Sequence, residues 1–457
     1  MATISTTRKA LRISNIEGSW ATLHFVLTSG AFFTGFALLL GANDFQLGLL
    51  SAMPLLAQVF QLPGAWLVEK TGHRRVIVGW FSVISRTFWL PIALIPVLFP
   101  NNPMRMFIVL YLASSLAMNL AASGWVAWMS ALVPPSIRGR YFGTRGRITG
   151  VVSIVASLTG GLAIDLFKHY DHDYLGYLTL MLIAVAAGLM AFRLILRQPD
   201  PGYRAEVLPA LRTYLVQPMR DGNYRRIIVF YLYWLFAVNL ASPFFNAHLL
   251  KHMNWNFRSM ALLGVISSVT TILLQSMWGR MVDRYGHKPV LMITAIGIIH
   301  LPFYYAFCPW DLRWPIYLNA VFGGVFWAGF GLASFSQLID VLPASRRTMY
   351  VAVLSALRGV TNFFATTLSG SLADLFDGVH WQFGSLTIVN YQILFIITGL
   401  VRIPGLLLLT RIREPDALGT GTVIRRMFGG FYRRMLLHRP MFPVTVKDGG
   451  TEFPKPD

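Results

Sequence analysis

Cysteine and acidic residues are scarce in this chain. Cys308 is its one cysteine, and 19 Asp and Glu residues stand against 39 Lys and Arg in 457 residues. A single cysteine excludes an intramolecular disulfide and a cysteine-based metal site. His248 and His252 have helical i, i+4 spacing, but the sequence pairs them with no third metal ligand. It also contains no Gly-x-x-x-x-Gly-Lys-[Ser/Thr] loop and no nucleophile–base pair. We therefore predict no metal site, no cofactor, no enzymatic activity and no ATP-driven pumping.

Long apolar segments make up most of the sequence, since 55% of the residues are hydrophobic and only 13% are charged. Twelve segments of about 18–28 residues are each long enough to cross a hydrocarbon core of about 30 Å as a helix. Barrel strands would be about 10 residues long and alternating, so we predict helices. We number the segments spans 1 to 12: 20–41, 45–68, 76–99, 106–133, 148–167, 174–195, 227–250, 260–282, 290–307, 314–339, 349–376 and 388–409.

Most basic residues lie on one side of the predicted membrane. Lys and Arg concentrate in the N-terminal arm, in the loops after even-numbered spans and in the C-terminal tail. By the positive-inside rule, both termini are cytoplasmic and the chain lies in the cytoplasmic (inner) membrane. The net charge of +20 then reflects topology and contact with anionic membrane lipids, so we predict no nucleic-acid partner. The opposite loops hold five basic residues: Arg105, Lys168, Lys251, Arg258 and Arg313.

A charged hairpin occurs twice in the chain. Each copy reads acid, base, any residue, Gly, His, base, from Glu69 to Arg74 after span 2 and from Asp283 to Lys288 after span 8. Three further pairs of segments match in register: 134–141 with 343–350, 158–167 with 368–376, and 30–34 with 242–246. Both copies begin on the same side, so the halves are parallel and related by an axis along the membrane normal.

The predicted fold is an all-α membrane protein with twelve transmembrane helices in two parallel six-helix halves of pseudo-two-fold symmetry. Between the halves lies a polar, arginine-rich linker with three prolines. The predicted divisions are a cytoplasmic N-terminal arm (1–17), the first half (18–197), a cytoplasmic linker (198–226), the second half (227–412) and a basic cytoplasmic tail (413–457).

This arrangement resembles the major facilitator superfamily of secondary transporters over residues 18–412, and the hairpin resembles that family's signature loop, Gly-x-x-x-Asp-Arg-x-Gly-Arg-Lys. The first copy departs from it at Ala65 and Glu69. The resemblance implies that each acid contacts the cytoplasmic start of a helix in the other half and stabilises the outward-facing state. Glu69 would face Tyr350, and Asp283 would face Tyr141. The implied gating motif is Glu69, Lys70, Gly72, Arg74, Gly279, Asp283, Arg284, Gly286 and Lys288.

Subfamily patterns are missing. Span 4 carries no Arg and span 5 no Gly-Pro pair, as drug–proton antiporters of this family have, and the sugar-porter loop Pro-Glu-Ser-Pro-Arg is absent. The subfamily stays unassigned.

The family architecture places spans 1, 4, 7 and 10 around a central cavity, which makes their polar residues substrate-binding candidates. The alternative is that these side chains form hydrogen bonds between helices, for which Asn, Ser and Thr are common. Arg358 is a further candidate, because it places a charge about ten residues into span 11, where a charged side chain is costly and often marks a functional site. The candidates are His24, Thr34, Asn119, Asn239, Asn246, Asn319, Trp327 and Arg358.

Three arginines within spans, Arg86, Arg358 and Arg402, have no acid at equal depth in the sequence. They indicate either an anionic substrate or backbone carbonyl partners. For Arg86 and Arg402 we favour snorkelling along an outer helix, and Arg358 has the best prospect of facing the cavity. His24 is the one deep candidate for proton coupling, with a purely structural histidine as the alternative.

The resemblance implies a secondary active transporter that moves a small organic solute across the cytoplasmic membrane by alternating access. An anionic solute and protons as the coupling ion stay open, and we expect a monomer. The alternative is a transporter-like membrane sensor or scaffold without transport. The paired hairpins favour transport, because a non-transporting relative has no need of a symmetric gating device.

Overall fold

The computed structural model describes residues 4–134, 137–200, 219–341, 347–384, 386–414 and 421–422. Most of the predicted linker and nearly all of the predicted tail lie outside these residues. Eleven helices or helix pairs of the described part are long and apolar enough to cross a membrane. The predicted span 11 corresponds to the further helix Arg347–Leu375.

In the first half, span 1 consists of the helices Ile4–Leu27 and Gly30–Leu39, so the predicted N-terminal arm is helical from Ile4. The remaining helices are Asp44–Ala57, the 3-10 turn Gln58–Phe60 and Gln61–Thr71 (span 2), Arg74–Thr87, Trp89–Ala93 and Ile95–Leu98 (span 3), Pro103–Leu132 (span 4), Arg138–His169 (span 5) and Asp173–Leu196 (span 6).

The second half repeats this order and adds one short antiparallel strand pair, Trp381–Phe383 with Leu386–Ile388, before span 12. Its helices are Gly222–Asn239 and Phe244–Lys251 (span 7), Phe257–Tyr285 (span 8), His287–Ile299 and Leu301–Ala306 (span 9), Trp314–Val341 (span 10), Arg347–Leu375 (span 11) and Asn390–Thr410 (span 12).

Proline and glycine account for several helix breaks. Pro302 lies in the first turn of the second part of span 9, and a proline has no N–H to bond the carbonyl four residues earlier. Gly30, with φ +58°, separates the two helices of span 1. Span 7 breaks at Ser242 and Pro243, which the sequence repeat aligns with Gly30 and its neighbour. Spans 1 and 7 are therefore interrupted at equivalent depths.

The two halves pack through span 2 against span 11 and through span 5 against span 8. A Cβ atom on Gly48 would lie 2.6 Å from the carbonyl oxygen of Thr366, and one on Gly161 would lie 2.9 Å from that of Phe257. Both contacts are too short for any other residue without a shift of the backbone. We call the end of the bundle with the charged hairpins the hairpin end, and the opposite end the distal end.

Candidate functional site

A cavity of about 600 Å³ lies between the two halves, within the usual range for small-molecule sites. Spans 1 and 5 form one wall, spans 7, 8 and 10 form the other, and spans 9 and 12 contribute one or two residues each. No Asp, Glu or Lys is found among the residues described around it. Its polar lining consists of Ser29, Ser153, Ser157, Ser242, Asn246, Ser267, Tyr305, Asn319, Trp327 and Arg402.

The helix breaks of spans 1 and 7 both face this cavity, through Ser29 and Gly30 on one side and Ser242 on the other. Helix interruptions expose backbone groups, which are costly at membrane depth unless they line a cavity or are covered by protein. The repeat thus places two equivalent irregular segments opposite each other at a polar cavity.

Three of the eight substrate-binding candidates line the cavity: Asn246, Asn319 and Trp327. The amide nitrogen of Asn319 donates to the carbonyl oxygen of Leu301 at 2.6 Å, so part of this side chain is already engaged. The Trp327 ring packs edge-on against Phe330, with 5.7 Å between ring centroids.

Two candidates of span 1 bind backbone groups in their own half. The His24 side chain is buried, and its Nδ1 lies 2.9 Å from the carbonyl oxygen of Ala184 on span 6. Its ring packs edge-on against Trp89 of span 3. The Thr34 hydroxyl donates to the carbonyl oxygen of Gly30 in its own helix. Neither residue is part of the cavity lining.

Asn119 and Asn239 both form hydrogen bonds between helices. Asn119 accepts from Gln61 Nε2 at 3.0 Å and joins spans 4 and 2. Asn239 donates to the Oδ1 atom of Asn362 at 3.0 Å and joins spans 7 and 11. These contacts fit the alternative interpretation given above for intramembrane amides.

The three intramembrane arginines differ from expectation. Arg358 is half-buried and does not line the cavity. The snorkelling interpretation of Arg86 and Arg402 is wrong, because the two residues are only 6% and 3% exposed. Arg402 lines the cavity instead, and its Nη1 donates to the carbonyl oxygen of Ile298 at 2.9 Å.

Sequence reasoning also missed a buried ion pair between Glu17 and Arg145, with 3.0 Å between Oε2 and Nη2. Glu17 falls before the apolar segment of span 1, and only the early start of this helix shows that it is enclosed. A Cβ atom on Gly18 would lie 2.5 Å from the Arg145 guanidinium carbon. The glycine therefore leaves room for the Arg145 side chain against the span 1 helix. The pair joins spans 1 and 5.

Glycines with positive φ close both charged hairpins: Gly72 at +70° and Gly286 at +90°. The side chains of Glu69 and Tyr350 lie outside the described residues, so the first predicted gate contact is not observed. Asp283 is exposed, and no ion pair or hydrogen bond of its side chain is found in the described part. Tyr141 is buried, and its hydroxyl has no partner among the same residues. The structure thus shows no contact of Asp283 with Tyr141.

Each hairpin is instead held within its own half by an acid that follows the sixth helix of that half. Glu414 accepts the backbone N–H groups of His287 and Lys288 at 2.8 Å each, and its Oε1 lies 2.8 Å from His287 Nδ1. Burial raises the Glu414 pKa, but these hydrogen bonds favour the carboxylate and leave the pKa below its ordinary value. In the first half, Asp200 accepts the N–H of Arg75 at 3.1 Å.

Two acids join the halves at the distal end. Asp165 on span 5 accepts the backbone N–H groups of Phe257 and Arg258, each at 2.8 Å, at the start of span 8. Asp374 on span 11 accepts the N–H of Phe45 at 3.2 Å, at the start of span 2. The first N–H groups of a helix have no partner within it, so each carboxylate caps a helix of the other half. We call these contacts and the Asp44 cluster described next the distal lock.

Asp44, 5% exposed, is the third acid of the distal lock. Its Oδ1 lies 3.0 Å from Lys251 Nζ of span 7, and its Oδ2 accepts from Asn390 Nδ2 of span 12 at 2.8 Å. The Tyr391 hydroxyl donates to Oδ1 as well. One carboxylate of the first half is thus bound by three side chains of the second half, which sequence reasoning did not foresee.

Comparison with known proteins gives the following relationships. The family model described as Major Facilitator Superfamily matches residues 20–257 and 227–445. A tetracycline resistance protein, class H, of Pasteurella multocida is 29% identical over 120 residues, which are 26% of this chain and 28% of that protein. The chain therefore matches about a quarter of that relative's length.

Solved structures share the fold at low sequence identity. A point mutant of the nucleoside transporter NupG superposes with a TM-score of 0.72 at 12% identity, covering 89% of this chain and 100% of that one. The xylose transporter XylE from E. coli, in an inward open conformation, gives a TM-score of 0.65 at 16% identity, covering 92% and 99%.

Proposed function

The chain belongs to the major facilitator superfamily, and we propose that it moves a small, polar organic solute across the cytoplasmic membrane. It is a secondary active transporter that works by alternating access. The observation that supports a solute site most directly is the cavity of about 600 Å³ between the halves, which ends beneath the distal lock. Phe257 belongs to both features, because its N–H is bound by Asp165 and the residue is part of the cavity lining. A sensor or scaffold without transport is not favoured.

We propose that the conformation described is inward-facing. The bias of basic residues toward the hairpin end supports a cytoplasmic position for that end and for both termini. The distal lock would then close the outer side. The exposed Asp283 supports an open inner gate, since the contact expected for its carboxylate in the outward-facing state is not made.

The two ends would then act in opposition. In the outward-facing state, Glu69 and Asp283 would cap the starts of spans 11 and 5, while Asp165 and Asp374 would release spans 8 and 2. Each acid contributes about 0.3–2 kcal/mol at a helix start, enough to shift two states that differ by a few kcal/mol. The domain divisions predicted from the repeat fit this rocking of two halves.

The similar solved structures include a nucleoside transporter and a D-xylose–proton symporter. We therefore propose to test nucleosides and pentoses as solutes, and protons as the first coupling ion. His24 is the residue of the first half whose role in coupling such an experiment would probe. A monomer is the simplest functional unit for two halves that enclose one cavity.

Reversible locking of the distal end tests the transport proposal. In a Cys308→Ala background, cysteines would be introduced at Asp165 and Arg258, two positions that meet across the halves, since the Asp165 carboxylate accepts the Arg258 backbone N–H at 2.8 Å. Proteoliposomes loaded with nucleosides or pentoses would be assayed for counterflow. Oxidation should stop exchange and reduction should restore it, whereas each single-cysteine variant should be unaffected by oxidant. Exchange that continues through the oxidised, cross-linked protein would refute alternating access at this cavity.

A further inference from the structure

Arg402 lies deep in span 12 and reaches the cavity with a side chain that is 3% exposed. Its Nη1 donates to the Ile298 carbonyl oxygen at 2.9 Å. That carbonyl lacks its usual helical donor, because Pro302, four residues later, has no N–H, and besides Arg402 it accepts the N–H of His300. The break in span 9 therefore anchors one corner of the guanidinium group and fixes its position at the cavity.

The other edge of this guanidinium is not satisfied. Nε of Arg402 is buried and has no hydrogen-bond partner, and no hydrogen bond of Nη2 is found in the described part of the chain. Leaving a buried donor unpaired is costly, and more so for a charged group. No Asp or Glu of the described residues lines the cavity to compensate for this charge.

The neighbouring amides are not found paired with Arg402 in the described part of the chain. Asn319 already donates to the Leu301 carbonyl oxygen at the same break in span 9. Asn246 lines the cavity from span 7. Both amides are neutral. They can form hydrogen bonds with a polar ligand, but they cannot balance the positive charge of Arg402. The net charge of the described lining is the single positive charge of Arg402.

The rest of the wall is apolar and aromatic. Phe25, Phe32, Phe245, Phe257 and Trp327 contribute rings from both halves. Such a lining favours a ligand with an apolar or ring-bearing body. A fully hydrated inorganic ion would gain little from these walls.

We infer that the cavity binds an organic monocarboxylate, with its carboxylate on the free edge of Arg402 and its apolar body against the aromatic wall. This deepens the proposed function and rests on it. Nε–H and Nη2–H point in the same direction, and a planar fork of this kind binds a carboxylate through two parallel hydrogen bonds. A dianionic phosphate would bring more charge than one guanidinium can balance. A cation would meet an unpaired positive charge, and no acid is found among the described residues of the lining.

Ligand binding tests the inference directly. Purified protein would be titrated with phenylacetate and with its neutral isostere phenylacetamide, while thermal unfolding is followed by tryptophan fluorescence. Phenylacetate should raise the unfolding temperature of the wild type and the amide should not. Arg402→Gln should weaken the phenylacetate response by about tenfold or more in affinity, the scale of one charge-assisted pair. Arg402→Lys should restore it only in part, because the fork is lost.

Arg86→Gln is the matched control. Arg86 is also buried and also has unpaired nitrogen atoms, but it lies on span 3 and outside the cavity lining. This variant should keep the phenylacetate response of the wild type. An equal rise in unfolding temperature with the acid and the amide, or an unchanged phenylacetate response in Arg402→Gln, would overturn the inference.

A second measurement does not depend on the chosen ligand. In a Cys308→Ala background, a cysteine at Ser242, which lines the cavity, would be modified with anionic and cationic methanethiosulfonate reagents of similar size. The anionic reagent should react faster, and Arg402→Gln should abolish this preference. Equal rates with Arg402 intact would refute the inference, even if neither phenyl compound binds or the Gln variant fails to fold.

The two levels of proposal fail separately. Counterflow of a neutral solute that is blocked by the distal disulfide, with no charge preference at Ser242, would refute the carboxylate site and leave the transport proposal intact. Charge preference and phenylacetate binding without any exchange would support the site and count against transport.

Discussion

Asp165 and Asp374 occupy equivalent positions in the sequence repeat, and each binds the backbone at the start of a helix in the opposite half. Asp165 accepts two N–H groups from the first turn of span 8, and Asp374 accepts one from the first turn of span 2. These two contacts of the distal lock therefore lie at equivalent positions in the two halves, but one consists of two hydrogen bonds and the other of one. At the hairpin end, the repeated acids predicted from the sequence would perform the same kind of contact in the alternative state.

Neutralising the distal acids should shift the protein toward the outward-facing state. Asp165→Asn removes a carboxylate with two N–H partners at 2.8 Å, so we expect a larger shift than for Asp374→Asn, which loses one at 3.2 Å. Each contact is worth about 0.3–2 kcal/mol, or roughly 2- to 30-fold in the ratio of states. Cysteine labelling at cavity positions from the outside would report the shift. Asp171→Asn, in an exposed turn with φ +57°, is the control. Unaltered labelling in both distal variants would contradict the lock.

Asp283→Asn should act in the opposite direction. Transport should fall strongly while expression stays near that of the wild type, because the change removes the contact proposed for the outward-facing state and leaves the core packing intact. Glu69→Gln should have a weaker effect, given its departure from the motif. Adding Asp165→Asn to Asp283→Asn should restore part of the transport rate, since both gates are then weakened. Wild-type rates in both neutral variants would remove the gating role of the hairpins.

The Glu414 carboxylate should stabilise the protein in a pH-dependent way. Its pKa in the folded protein is below the ordinary value, so its contribution is complete above that ordinary value, about 4.3, and is lost as the pH falls through the folded pKa. Glu414→Gln should lower the unfolding temperature at pH 7, and the two proteins should converge as the pH drops below about 4. Asp200→Asn, which loses a single N–H contact, should have a smaller effect. A difference that persists unchanged at low pH would contradict this account.

His252 should destabilise the fold in mild acid. Burial and then the neighbouring Lys251 charge lower its pKa to about 4, with Asp44 opposing them. The unfolded chain takes up this proton near pH 6.5, so stability should fall between about pH 6.5 and 4. His252→Gln should flatten this part of the stability curve. Parallel curves for the variant and the wild type would show that another group titrates there.

Topology can be checked by cysteine labelling in a Cys308→Ala background. Cysteines at Asn102 and Asp171 should react with an impermeant reagent added to intact cells, because the distal end is predicted to face outward. A cysteine at Asp221 should react only after the membrane is opened. Labelling of position 221 in intact cells would reverse the orientation.

The sequence predicted the family and the layout of the helices because both depend on local and repeated properties. Apolar length predicts each span, and the two hairpins with Gly72 and Gly286 align the halves. Helix breaks at Gly30 and Pro302 also follow from local backbone chemistry. The candidate site was harder to predict. Three polar candidates, Asn246, Asn319 and Trp327, line the cavity, whereas Asn119 and Asn239 pair with neighbouring helices.

The sequence by itself determined an all-α membrane protein of two parallel halves. The length of the apolar segments, the bias of basic residues and the internal repeat depend only on the order of residues along the chain. Only the tertiary structure decided that Arg402 rather than Arg358 reaches the cavity, and that Asp44, Asp165 and Asp374 join the halves. The face that a helix turns toward a neighbour depends on its rotation and tilt, which are set by packing against other helices. A partner separated by more than 200 residues, as Lys251 is from Asp44, is therefore specified by the packed bundle and by no local pattern.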